Sequence, residues 1–95
     1  MEKAKFEAGQ IVCTKGVSDE MAKDGDFYVF VLYSLHEYLK CNWGDTCEGD
    51  SKVNDIAVER GDERIFAVYK MNGYTIWIIT EWDRSVTTVL FPYEY

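Results

Sequence analysis

The chain has 95 residues, 47% of them apolar, which is enough for one domain (residues 1–95) built around one core and too few for two. No run approaches the roughly 18 apolar residues of a membrane-crossing helix, and the opening MEKAKFEAG lacks the apolar centre of a signal peptide, so a cytoplasmic protein is expected. A net charge of −7 argues against phosphate binding through a broad basic surface and leaves open a partner that is itself basic.

Cys13, Cys41 and Cys47 cannot all pair within one chain, and their spacing suits neither a disulfide scaffold nor a zinc site of the C-x-x-C kind. Reduced structural thiols are expected, with no metal and no cofactor. The only histidine, His36, falls beside Glu37 on a predicted helix rather than beside a nucleophile.

In chain order, Ile11-Val12-Cys13 between Gly9 and Gly16 reads as a brief extended segment. Ser18 can cap a short helix, Asp19 to Lys23, that ends at Asp24-Gly25. Asp26 can cap a longer one reaching about Lys40, with Tyr28, Val31, Leu32, Leu35, Tyr38 and Leu39 at helical spacing. The aromatic and β-branched run Phe27 to Tyr33 would also suit a buried strand; the continuation from Ser34 to Leu39 favours helix. Asp45 and Glu48 form a capping-box-like start to a further helix, with Val53, Ile56 and Ala57 as its apolar stripe and Gly61 as its stop. Between Trp43 and Glu63 lie seven acids and two bases, a charge of −5 that makes up most of the total.

Ile65 to Pro92 is the strongest segment. Asn72-Gly73 between two β-rich runs predicts a two-residue type I′ hairpin, because both residues tolerate positive φ. That loop sets Tyr69 opposite Ile76, Ala67 opposite Ile78 and Ile65 opposite Thr80 on a nearly all-apolar face. The other face sets Val68 opposite Trp77, Phe66 opposite Ile79 and Arg64 opposite Glu81, a pair of opposite charges. Trp82-Asp83-Arg84-Ser85 supplies a polar turn, and Val86 to Phe91 a third strand ended by Pro92. Tyr93 and Tyr95 predict a tail that either docks on the sheet or stays exposed. The expected fold is α+β: a three- or four-stranded antiparallel β-meander with two to three helices packed mainly on the Ile65, Tyr69, Ile76, Ile78 face.

Trp43-Gly44-Asp45, Asn54-Asp55, IWIITE with Asp83-Arg84-Ser85 and Thr87-Thr88, and the closing Pro92 with Glu94-Tyr95 resemble the pattern of a family of small uncharacterised proteins carried by plasmids, integrative elements and phages. The resemblance covers roughly residues 41 to 95, and Trp82 stands where the pattern has a small residue. It implies a mobile-element setting and carries no known activity or functional residues.

Three function classes follow. The first is a non-catalytic acidic binding protein that occupies a basic protein surface, with Trp43, Asp45, Glu48, Asp55, Glu59, Asp62 and Glu63 as partner-binding residues. Carboxylates along a rigid surface can take the place of phosphates on Lys and Arg, and with the mobile-element resemblance this points to a host defence nuclease complex of the CRISPR or restriction kind. The second is a self-associating module, a homodimer held by a sheet edge or by the aromatic tail. The third is a small hydrolase using Glu81, Asp83 and Arg84, for which the sequence offers no phosphate-cradling glycine loop. Turn chemistry alone also explains those three residues.

Overall fold

The computed structural model describes residues 4–95. Its elements run β1 (Gln10–Cys13), α1 (Lys15–Lys23), α2 (Gly25–Leu39), α3 (Glu48–Arg60), β2 (Ile65–Met71), β3 (Tyr74–Thr80) and β4 (Val86–Leu90), followed by a short 3-10 turn at Pro92–Glu94. The four strands form one sheet in the order β1-β4-β3-β2. Among the described residues, no helix is long and apolar enough to cross a membrane.

The hairpin register is the expected one, from Met71 opposite Tyr74 to Ile65 opposite Thr80. Asn72 and Gly73 adopt φ of 51° and 82°, as a type I′ turn requires. β4 continues the antiparallel meander, with Ile78 opposite Val89 and Thr80 opposite Thr87. β1 departs from a purely antiparallel sheet, since it lies parallel to β4 with Val12 beside Thr88. Such a pairing joins residues far apart in the chain, so no local turn announces it.

The helix starts differ from the sequence expectation by a few residues, each for a visible reason. Thr14, rather than Ser18, caps α1 through its hydroxyl, which accepts the Val17 N–H. Asp24, rather than Asp26, caps α2 by accepting the N–H groups of Asp26 and Phe27 at 3.0 and 3.3 Å. Asp45 is not a helix cap at all. α3 begins after Cys47 without a side-chain cap, and it ends as expected at Gly61 in the left-handed conformation.

Phe27 to Tyr33 is helical, and the buried stripe of α2 is Phe27, Phe30, Val31, Ser34 and Tyr38. Of the predicted stripe, Tyr28 and Leu32 instead face outward, 46% and 47% exposed. The segment is apolar around its circumference, so periodicity could not phase it, and packing chose the face that carries two phenylalanines. Burying each of these large side chains is worth about 1.5–3 kcal/mol. With Val17, Ile65, Ala67, Tyr69, Ile76, Ile78 and Val89 they form one contiguous core on the predicted face of the sheet.

A chain of hydroxyls crosses that core. Tyr38 Oη and Thr80 Oγ1 lie 2.7 Å apart, Thr80 Oγ1 and Thr87 Oγ1 2.7 Å apart, and Thr87 donates to the Ala8 carbonyl at 2.7 Å. Burial holds the Tyr38 phenol above its ordinary range, so the chain stays neutral and hydrogen-bonded.

Candidate functional site: the acidic helix and the groove beside it

α3 packs along the free edge of β2, and the helix together with the loop before it seals that edge. Asn54 donates to the Phe66 carbonyl at 2.6 Å and accepts the Phe66 N–H at 3.1 Å. Two residues further along the strand, the Val68 N–H reaches Thr46 Oγ1 and the Val68 carbonyl accepts the Asp45 N–H, both at 2.8 Å. The Lys70 N–H then donates to Asp45 Oδ2 at 2.8 Å. Every second residue of β2 points its backbone groups outward; both groups have partners at 66 and 68, and the N–H has one at 70. This closes one edge to the strand-on-strand pairing that an open sheet invites.

Gly44 makes the approach possible. Its φ is +60°, and a Cβ there would stand 2.4 Å from the Tyr69 ring. Trp43, expected among the partner-binding residues, is buried: its indole N–H donates to Asp55 Oδ1 at 2.8 Å and its ring packs edge-on against Tyr38.

The polar turn between β3 and β4 is likewise taken up by the fold. Arg84, at φ 61°, donates to the carbonyls of Glu63, Ala57, Glu81 and Trp82, closing the C-terminal end of α3. The Asp83 carboxyl accepts the Ser85 N–H, and hydrogen bonding from the Ser85 side chain, then from that N–H, holds it below its ordinary range. Arg64 does not need Glu81: its guanidinium stands over the Tyr95 ring, 5.3 Å from the centroid. The aromatic tail is held by a residue that the sequence marked only as part of a pattern, without a role. Glu94 accepts from Thr14 Oγ1 at 2.6 Å, the Phe91 N–H at 2.9 Å and the Gly16 N–H at 3.1 Å. Tyr93 beside it is 82% exposed. The signal for Glu94 was a carboxylate two residues beyond a proline, but Thr14 and Gly16, the partners that tie the tail down, lie nearly the whole chain away.

Of the predicted partner-binding residues, Trp43, Asp45 and Asp55 therefore hold the fold. Glu48, Glu59, Asp62 and Glu63 are exposed, with Glu48 near Lys52 and with Asp62 and Glu63 near Arg60. These pairs are solvated and contribute little to stability. Val53 and Ile56, read from the sequence as core, are each 52% exposed on the same helix, because the contacts of α3 with β2 run through Asn54 and Ala57 instead.

Beside α3 on the second face of the sheet lies a groove of about 220 Å³, lined by Asp50, Val53, Phe66, Trp77 and Tyr95 with Arg64 at its side. Phe66 and Tyr95 both meet Trp77 edge to face, with centroids 5.1 and 5.7 Å away. His36 is exposed, and among the described residues no three His, Cys, Asp or Glu side chains could hold a metal ion. Cys13, Cys41 and Cys47 are free, and burial raises the first two above the ordinary thiol range.

Compared with family models, curated proteins and solved structures, the chain matches none. What α3 and its groove can do is therefore argued from their own geometry.

Proposed function

We propose that the protein is a non-catalytic binding protein whose α3 face engages a basic surface of a host protein. The observation that carries the reading is a helix with two half-exposed aliphatic side chains, Val53 and Ile56, on a face where Glu48, Asp50 and Glu59 outnumber Lys52 and Arg60. An acidic field steers a basic partner and an apolar centre holds it. Glu48 and Glu59 lie about 16 Å apart along the axis at the rise of an α-helix, so the carboxylates are spread along the face rather than gathered at one point. The face thus has the length and sign to occupy Lys and Arg sites that otherwise take nucleic acid. The plasmid- and phage-borne resemblance favours a nucleic-acid-targeting defence complex, of the CRISPR or restriction kind, as that partner.

Charge reversal tests it. Glu48→Lys, Glu59→Lys and Asp62→Lys together should abolish binding of a basic partner and leave the fold intact, since none of the three seals β2 or holds Trp43. Asp55 is kept, because its loss would release the Trp43 indole. The exposed tail favours a second reading, self-association through Tyr93. Tyr93→Ser would then convert a dimer to a monomer by sedimentation while keeping the Glu94 anchor.

A further inference from the structure

The sheet has two edges, and only one of them is sealed. β1 forms the other, since it lies outermost and pairs with β4 alone. Its ladder to β4 runs through the even-numbered residues: the Gln10 N–H donates to the Ser85 carbonyl and the Thr14 N–H to the Val89 carbonyl, both at 3.0 Å. By strand alternation Val12 also faces β4, while Ile11 and Cys13 turn their N–H and carbonyl groups outward. Among the described residues, no loop, helix or side chain takes up those four groups.

The open edge is fixed in place and uncharged. Gly9, at φ +66°, brings the chain in so close that a Cβ there would stand 2.3 Å from the Arg84 carbonyl oxygen, and at the other end Thr14 Oγ1 donates to Glu94 at 2.6 Å. A strand held at both ends has little freedom left to lose when another strand adds to it. Residues 10–14 (Gln, Ile, Val, Cys, Thr) include none of the lysines, prolines or inward charges that blunt an edge, and Ile11 is 45% exposed.

From this asymmetry we infer that β1 is a dimerisation edge whose occupant is β1 of a second copy, running antiparallel about a two-fold axis at Val12. Two outward residues placed symmetrically about Val12 are self-complementary. Ile11 of each copy exchanges both backbone bonds with Cys13 of the other, so all four outward groups on each side are used. Ile11 then meets Cys13 on the core face and Val12 meets Val12 on the other, apolar cross-strand pairs on both faces. Charge does not oppose the pairing. The −5 carried between Trp43 and Glu63 lies on the β2 side, three strand spacings or roughly 14 Å across the sheet from β1, which exceeds the Debye length of about 8 Å at physiological salt. Because the β2 edge is sealed, the assembly closes at two copies instead of growing. The inference stands apart from the α3 reading, since no residue that carries that reading lies on β1.

Sedimentation equilibrium and amide hydrogen exchange of the whole chain, over a range of concentrations, test it. A dimer should grow with concentration and change little between low and high salt, and the Ile11 and Cys13 amides should gain protection in step with it. The Val12 amide, which faces β4, should be protected throughout. Ile11→Lys sets an ammonium into the pairing and should give a monomer with a nearly unchanged melting temperature. A second variant uses the Cys47→Ser background, which removes the one exposed thiol. There Val12→Cys should form a disulfide-linked dimer on mild oxidation and the background alone should not. Residues on the axis form a non-hydrogen-bonded pair with Cα atoms about 4.5 Å apart, within disulfide range. The Glu48→Lys, Glu59→Lys, Asp62→Lys variant should dimerise as the wild type does, so failure of this inference and failure of the α3 reading are distinguishable. A monomer at every concentration would overturn the second copy as occupant. A dimer that survives Ile11→Lys, a dimer lost in Tyr93→Ser, or Ile11 and Cys13 protection that is independent of concentration would overturn the inference as well.

Discussion

Asn54 completes the hydrogen bonds of a strand that is not its own: its side-chain amide pairs with both the N–H and the carbonyl of Phe66 across the edge of β2. Asn54→Ala is expected to cost about 2–3 kcal/mol in urea unfolding, because it leaves two strand groups unpaired. It should also produce concentration-dependent association visible by sedimentation, since it reopens the edge. Asn54→Asp keeps an acceptor for the N–H and should fall between the two. A monomeric Asn54→Ala protein of native stability would contradict the sealing role.

The hydroxyl chain predicts non-additive energetics. Tyr38→Phe should cost about 1 kcal/mol, and Thr80→Val more, because Thr80 sits between Tyr38 and Thr87 and its loss leaves both without their neighbour. In a double-mutant cycle the second substitution should cost less once the first is made. Simple additivity would mean that the hydroxyls act separately.

Ser34→Ala should behave in the opposite sense. It removes a buried hydroxyl that has no partner among the described residues, so the variant is expected to be about 1 kcal/mol more stable by urea unfolding. A loss of stability would show that the hydroxyl is satisfied within the fold.

Glu94 predicts a pH dependence. Burial works to raise its carboxyl, but the hydrogen bonds from Thr14, Phe91 and Gly16 outweigh this and leave it below the ordinary glutamate value. A carboxyl depressed in the folded state contributes stability that is present above the unfolded-state value and is lost as pH falls through the folded one. Thermal unfolding should therefore show stability declining below the ordinary glutamate range, with a smaller decline in Glu94→Gln. At neutral pH the same variant should lose about 1 kcal/mol, the size of a helix-capping contribution at a partly exposed site. An identical pH profile would remove Glu94 from the account.

The hairpin was legible because Asn72-Gly73 fixes the loop and period-two alternation then fixes every pair. α3 and its stop at Gly61 were legible for the same local reason. The roles of Asp45, Asn54 and Glu94 were not, because each side chain bonds backbone far along the chain, and an acid or amide near a helix start looks locally like a cap. The phase of α2 was hidden by apolar residues on every side. The motif residues of the family resemblance illustrate the limit: Gly44, Asp45, Asn54, Asp55, Arg84 and Thr87 all prove to be fixtures of the fold. A pattern made of such residues marks an architecture, while the groups free to meet a partner lie between them.

The most direct test of the central claim compares the wild-type chain with the Glu48→Lys, Glu59→Lys, Asp62→Lys variant as baits in lysate of the host cell, at low and high salt. The wild type should retain a basic nucleic-acid-binding complex at low salt and lose it at high salt, and the variant, with an unchanged melting temperature, should retain none. Equal recovery by both baits, or recovery of the protein's own copies alone, would contradict it.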